Sequence, residues 1–372
     1  MIVGVPKEIK SQEYRVGLVP AGARHLIQSG AQVVVQAGAG IGSGIEDAEF
    51  EAVGATVLKS AEEVWKTSDM IIKVKEPLVK EYDLMKKGQI LYTYLHLAVV
   101  PDLAKVFIEK KITSIAYETI QLPNHSLPLL KPMSEVAGKM AVQIGSAYLQ
   151  KENGGKGVLL GGVPGVRRGR VTIIGAGVVG MNACKIAVGM GADVTVIDVN
   201  LDRLEYFDDI FGNKIQTLKS HSQNIEESVL RADLLIGAVL IPGAKAPKLV
   251  TKNLVSKMSP GSVIVDVAVD QGGCVETCKP TTHDDPTFLV DGVIHYCVAN
   301  MPGAVAMSST IALTNATLAY AKKIVEQGVD KAIRSDVDLA KGVNTYNGFV
   351  THRAVADALN EPYHSLEAQI GS

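Results

Sequence analysis

The chain has 372 residues, 47% hydrophobic, 20% charged and 5% aromatic, which suits a globular protein, excludes intrinsic disorder and, at roughly 150 residues per domain, points to two domains. Lys and Arg number 37 against 39 Asp and Glu, a net charge of −2, and with no long run of like charge a nucleic-acid partner has no electrostatic footprint. No window approaches the roughly 18 consecutive apolar residues of a membrane helix, and Lys7, Glu8 and Lys10 stand where a signal peptide would carry its apolar core, so the expected compartment is the cytosol and no membrane partner is implied.

From the N-terminus, apolar runs over 2–5, 32–36, 70–74, 90–94 and 112–116 read as strands, separated by helical stretches over 21–29, 61–66 and 101–110. Strands alternating with helices argue a parallel sheet built from crossover units. Pro128 and Pro132 interrupt the pattern ahead of a helix over 135–150, with Val136, Met140, Ile144, Ala147 and Tyr148 as its apolar positions, which reads as a bridge between domains. After a glycine-rich basic loop over 154–170 the alternation restarts, with strands at 171–174, 193–198, 234–238 and 262–266 and a helix at 181–190. Past Asn300 the pattern turns helical: 308–326 offers Ile311, Leu313, Leu318 and Ile324 on one stripe, and 350–359 makes a last helix. This tail shows no strand and is expected to pack back on the first domain. The expected fold is therefore α/β, with two Rossmann-like doubly wound parallel sheets flanking a cleft and joined by long helices. Residues 1–130 with 305–372 form one domain, and 131–304 the other.

Four cysteines (Cys184, Cys274, Cys278 and Cys297) do not make a disulfide framework, and Cys274, Cys278 and His283 lack a second ligand pair, so they read as buried or idle thiols and no metal is expected.

Val171-Thr-Ile-Ile174 runs directly into Gly175-Ala-Gly177-Val-Val-Gly180, which opens an apolar helix. Between a strand and a helix this pattern is a dinucleotide fingerprint: the first glycine for the tight turn, the second for close approach of backbone N–H groups to a pyrophosphate, the third for helix–strand packing. Asp198 closes the next strand at about the 20-residue distance where the ribose-binding acid belongs. The blander alternative is a tight turn and a loop cap. Asp198 would repel a 2′-phosphate, favouring NAD over NADP, with Arg203 a partial offset.

Polar residues at strand ends in the first domain give a second signal. Lys73-Val-Lys75-Glu-Pro77 and Tyr92-Thr-Tyr94-Leu-His96 should emerge at one sheet edge, with Lys7-Glu8 and Glu13-Tyr14-Arg15 able to approach it. A carboxylate substrate needs cations and a carbonyl or amine needs a titratable neighbour. His96 suits proton transfer near neutrality and equally suits a hydrogen-bonded core position. Asp270, just past a strand of the second domain, reads either as its partner at a nicotinamide or as a turn cap before Gly272-Gly273.

Segments 8–20 (E-I-K-S-Q-E-Y-R-V-G-L-V-P), 73–77 (K-V-K-E-P), 94–98 (Y-L-H-L-A), 175–180, 266–273 and 300–303 (N-M-P-G) together resemble the bacterial alanine dehydrogenases over essentially the whole chain. The resemblance implies reversible NAD-linked oxidative deamination of L-alanine to pyruvate and ammonium by a homohexamer. It implies that Arg15 and Lys75 bind the substrate, with Tyr94 and Met133 lining the pocket and Asn300 close by, and that His96 and Asp270 do the acid/base work. Gly175, Gly177, Gly180, Asp198, Arg203 and Ser220 would hold the adenosine and pyrophosphate side of NAD, and Ser134, Val239, Leu240, Val267, Asn300 and Met301 the rest. The NAD-binding subunit of a proton-translocating transhydrogenase shares these motifs; His96 after Tyr94, and Lys131-Pro-Met-Ser-Glu135, favour the dehydrogenase. A non-catalytic NAD-sensing protein would not need Arg15, Lys75, His96 and Asp270 together.

Overall fold

The computed structural model describes residues 1–239, 246–269 and 272–371. Among them the strands are β1 (Ile2–Val5), β2 (Gln32–Gln36), β3 (Thr56–Leu58), β4 (Met70–Ile72), β5 (Ile90–Thr93), β6 (Thr113–Ala116), β7 (Arg170–Ile174), β8 (Asp193–Asp198), β9 (Ile215–Lys219), β10 (Leu234–Gly237), β11 (Val263–Asp266), β12 (Thr287–Val290), β13 (Val293–Tyr296), β14 (Val343–Tyr346) and β15 (Phe349–Val350). The chain divides into two α/β units, Met1–Met133 with Val305–Ser372, and Ser134–Ala304.

The first unit carries one sheet in the order β15-β14-β6-β5-β4-β1-β2-β3. β1 through β6 pair in parallel, and the chain reverses its direction across the sheet between β1 and β4. Ligands of open α/β sheets bind beyond the carboxyl ends of strands at such a switch point. Val64, Trp65, Ile71, Leu91, Leu103 and Phe107 belong to the core against one face.

The tail past 305 does pair with the first unit, but the expectation that it lacks strands is corrected: β14 joins β6 antiparallel and β15 folds back on β14. Between them Asn347 (φ 49°) and Gly348 (φ 93°) form a two-residue turn with both residues left-handed, the backbone that asparagine-glycine favours in hairpins. The helix expected over 350–359 consequently begins at Arg353, with Val350 in the hairpin, and it is not the last, since Leu366–Gly371 forms another. On the long helix Ala306–Gln327, Leu313 and Ile324 are buried as expected, whereas Ile311 is 45% exposed. Hydroxyls fill the buried face instead: Thr310 Oγ1 accepts the Val16 N–H and lies 2.8 Å from Ser43 Oγ, and Thr314 Oγ1 donates to the Thr310 carbonyl.

In the second unit the order is β12-β13-β11-β10-β7-β8-β9, parallel from β13 to β9 with β12 as an antiparallel edge. Consecutive strand residues go to opposite cores. Ile173, Val196, Leu234 and Val263 face one, with Ala183, Cys184 and Ala187 of the helix Val178–Gly189; Ile174, Ile197, Leu235 and Ile264 face the other. A sheet covered on both faces explains why these strands read as continuous apolar runs. The long helix expected over 135–150 spans Lys131–Tyr148. Pro132 sits in its first turn, where a missing N–H costs nothing. The cysteines are free thiols, Cys184, Cys274 and Cys297 being buried.

Candidate functional site

In the first unit the residues singled out follow β1, β4 and β5. Arg15 is 2% exposed, its Nε and Nη2 donating to the two carboxylate oxygens of Glu13 at 2.6 and 2.5 Å, and its Nη1 to Met133 Sδ at 3.1 Å. Burial works against the charge, but the Glu13 carboxylate prevails and holds the guanidinium's pKa above its ordinary value. The two lysines after β4, indistinguishable in sequence, separate in structure. Lys73 is fully buried and bonded to Glu8 Oε2 at 3.2 Å and Glu81 Oε1 at 2.9 Å, so its role is structural. Lys75 is half-buried, and among the described residues its Nζ makes no hydrogen bond or ion pair. Burial, then repulsion from Arg15 and Lys10, pulls its pKa below the ordinary lysine value. An ammonium held short of partners beside a buried guanidinium is suited to an anionic ligand.

Tyr94 is 4% exposed, donates to the Leu129 carbonyl at 2.6 Å and packs edge-on to Tyr117. Burial drives its phenol pKa well up, so it offers a fixed neutral surface. His96 has φ 47° and ψ 34°. A left-handed conformation costs a non-glycine residue about 1–2 kcal/mol, and such outliers persist where the surroundings enforce them. Here the enforcer is Glu118: its Oε1 accepts the Leu95 and His96 amides at 3.0 and 2.6 Å, and its Oε2 the Leu95 amide at 3.2 Å. The imidazole is half-buried, stacked 6.3 Å from the Tyr94 ring, and not a core histidine.

In the second unit β7 ends in the glycine-rich turn, at the switch point beside β10. A Cβ on Gly175 (φ 109°) would stand 2.5 Å from the Ala238 carbonyl oxygen, and one on Gly180 would stand 1.8 Å from that of Gly175. Gly177 differs: it N-caps the helix Val178–Gly189, and among the described residues no atom lies within 4 Å of its added Cβ. Two glycines thus close the turn and the third opens the helix N-terminus to a phosphate, a cradle that fits a dinucleotide. Asp198 ends β8 half-buried, Oδ2 accepting the Ala176 amide at 2.5 Å and Oδ1 the Asn200 amide at 2.8 Å. The loop-cap reading is therefore real, yet an ionised carboxylate accepts about four bonds, leaving capacity for ribose hydroxyls. Arg203 donates from Nε and Nη2 to the Ala176 carbonyl at 3.0 and 2.9 Å, bracing the same turn.

Ser220 follows β9 and gives its amide to the Asp198 carbonyl; Val239 and Val267 follow β10 and β11. The Asn300 carbonyl meets His283 Nε2 at 2.8 Å, Met301 is buried, and Ser134 lies on the helix Lys131–Tyr148. Asp270 and Leu240 lie outside the described residues. Sequence reasoning missed Glu118, and it named Glu13 near the sheet edge and Asp266 at a strand end without giving either a partner. Asp266 is fully buried at the end of β11, accepts the Ala268 and Val275 amides, and is pushed up to about 6 by burial.

Family models described as alanine dehydrogenase/PNT match this sequence twice, the N-terminal domain over residues 4–137 and the C-terminal domain over 141–353. The chain is 59% identical to an alanine dehydrogenase of Methanococcus maripaludis over 99% of both chains. It is 58% identical to one of Bacillus subtilis over 99% of this chain and 97% of that one. Among solved structures, an L-alanine dehydrogenase superposes with a TM-score of 0.94 at 53% identity, covering 97% of this chain and 99% of that one. A transhydrogenase from Sinorhizobium meliloti gives 0.83 at 26% identity, covering 94% and 100%.

Proposed function

The chain belongs to the alanine dehydrogenase/PNT family, and from that membership we propose that it catalyses the reversible oxidative deamination of L-alanine to pyruvate and ammonium with NAD. The observation that carries the dehydrogenase reading over the transhydrogenase one is full-length identity: 59% and 58% to alanine dehydrogenases, against 26% to the transhydrogenase structure. Among the described residues no helix is long and apolar enough to cross a membrane.

In this reading Arg15 and Lys75 bind the substrate carboxylate and carbonyl region, the guanidinium fixed by Glu13 and the ammonium without a partner among the described residues. Tyr94 and Met133 supply the pocket wall, and Asn300 is assigned to the substrate by the family resemblance. NAD, when bound, supplies the hydride acceptor. The Gly175-Gly177-Gly180 turn, Asp198, Arg203 and Ser220 would hold its pyrophosphate and adenosine side, and Ser134, Val239, Leu240, Val267, Asn300 and Met301 the remainder. Asp198 would favour NAD over NADP, because a carboxylate at the ribose would meet a 2′-phosphate as like charge.

Once the α-ammonium has given up a proton to solvent, loss of hydride from Cα leaves an iminium, which takes up water to a carbinolamine and collapses to pyruvate and ammonia. His96 moves the proton at the entering oxygen and Asp270 orients the water or the leaving ammonia. The family resemblance further supports a homohexamer, which sedimentation checks, and the protein is assigned to the cytosol, which fractionation checks.

The deciding experiment mixes the purified protein with L-alanine and NAD and follows NADH absorbance. Turnover that needs alanine, with Asp270→Asn slower by about 10²–10⁴-fold and still binding NAD, is the expected result. No alanine-dependent NADH from folded protein overturns the reading.

A further inference from the structure

The parallel register sets Thr93 opposite Ala116, so two residues past each strand Leu95 and Glu118 meet at the same sheet edge. There the Glu118 carboxylate spans the amides of Leu95 and His96. Among the described residues the His96 imidazole makes no hydrogen bond, and the Tyr94 ring stacks on it from 6.3 Å. With nothing else gripping the ring, its direction is set by the backbone that carries it, and that backbone is left-handed. His352 is also close enough to Glu118 to feel its charge, yet its buried Nδ1 has no partner among the described residues. The carboxylate is committed to the two amides and not to that neighbouring ring.

We propose that Glu118 is a positioning residue for His96, its carboxylate fixing the left-handed turn that sets the direction of the imidazole. This rests on the acid/base role given to His96 above. Reach, and not charge, is what the geometry demands. A glutamine keeps an acceptor oxygen at the same distance, whereas an aspartate keeps the charge and falls one methylene short.

The test compares Glu118→Gln, Glu118→Asp, Glu118→Ala, His96→Ala and the double variant His96→Ala/Glu118→Ala in the full-length protein, measuring kcat, KM for alanine and NAD, and Tm. Misplacing a catalytic group by about 1 Å costs on the order of 10²-fold, so Glu118→Asp and Glu118→Ala should lower kcat by about 10–100-fold with KM for NAD unchanged. Glu118→Gln should recover most of that loss. In the His96→Ala background, removing Glu118 should cost nothing further, since a unit fails once. If Glu118→Ala does not fold, the Asp and Gln variants carry the comparison. Glu118→Asp turning over at the wild-type rate, or a Glu118 loss that multiplies the His96 loss, overturns the positioning role while leaving the function standing. An active His96→Ala enzyme overturns the acid/base role of His96 and the positioning role with it, while the alanine activity itself stands.

Discussion

Arg15 and Glu13 form a two-toothed ion pair two residues apart, with side chains 2% and 0% exposed. Breaking a buried pair by removing one partner typically costs about 3–5 kcal/mol, because the other charge is left uncompensated. Arg15→Ala should therefore lower thermal stability by about that amount, and should also raise the Michaelis constants for alanine and pyruvate with NAD binding unchanged. Glu13→Gln should lower stability in the same direction. Melting curves and steady-state kinetics on both variants check this, and ordinary alanine kinetics in folded Arg15→Ala would place the substrate carboxylate elsewhere.

Lys75 links stability to alkaline pH. Its pKa is lowered in the folded chain by burial and by Arg15 and Lys10, so between that lowered value and the ordinary lysine value the unfolded chain binds more protons. Stability contributed by this group must rise with pH across that window. Lys75→Met carries no proton in either state and should flatten the rise; Tm measured against pH for both proteins gives the difference. Turnover should also fall, as the ammonium is assigned to the reacting end of the substrate. An identical alkaline profile in the variant would count against the burial argument.

Gly180 and Gly177 should fail in different ways. Gly180→Ala drives a Cβ into the Gly175 carbonyl, a backbone clash expected to cost roughly 1–3 kcal/mol of stability. Gly177→Ala meets no described atom and alters only a helix N-cap, so stability should change by no more than about 1 kcal/mol while NAD affinity drops. Calorimetric NAD titration beside thermal melts separates the two. Equal NAD affinity in Gly177→Ala would mean that the pyrophosphate lies elsewhere.

Asp198→Ala should weaken NAD by about 1.5–3 kcal/mol, the worth of a hydrogen bond to a charged group, and narrow the preference over NADP. Because the same carboxylate holds the Ala176 amide, a drop in Tm should accompany the loss. Steady-state kinetics with both cofactors provides the check; an unchanged NAD-to-NADP ratio would leave Asp198 as a turn brace alone.

What could be read from sequence was what depends on neighbours along the chain. Strand, glycine turn, helix and acid from Val171 to Asp198 each speak through local residues, and the alternation of units follows from periodicity. Glu118 was invisible because its partners, Leu95 and His96, reach it only through the register of two parallel strands. Lys73 and Lys75 look alike in sequence, and only burial against Glu8 and Glu81 tells them apart. The hairpin at Asn347-Gly348 did carry a local signal. It was obscured because β14 and β15 have four and two residues, too few for a period of two to stand out beside the flanking helices.

That hairpin imposes an order of assembly during synthesis. Ile115 in β6 finds its antiparallel neighbour only when Val343 has been made, so the first sheet to leave the ribosome is the last to gain all its strands. The Ser134–Ala304 unit is continuous and has its whole sheet in hand well before then. Domains fold as units while the chain elongates, and closing the first sheet carries the long-range contacts that slow folding. The glycine-turn unit should thus mature first, leaving the edge of β6 exposed to nascent-chain aggregation until the final strands arrive.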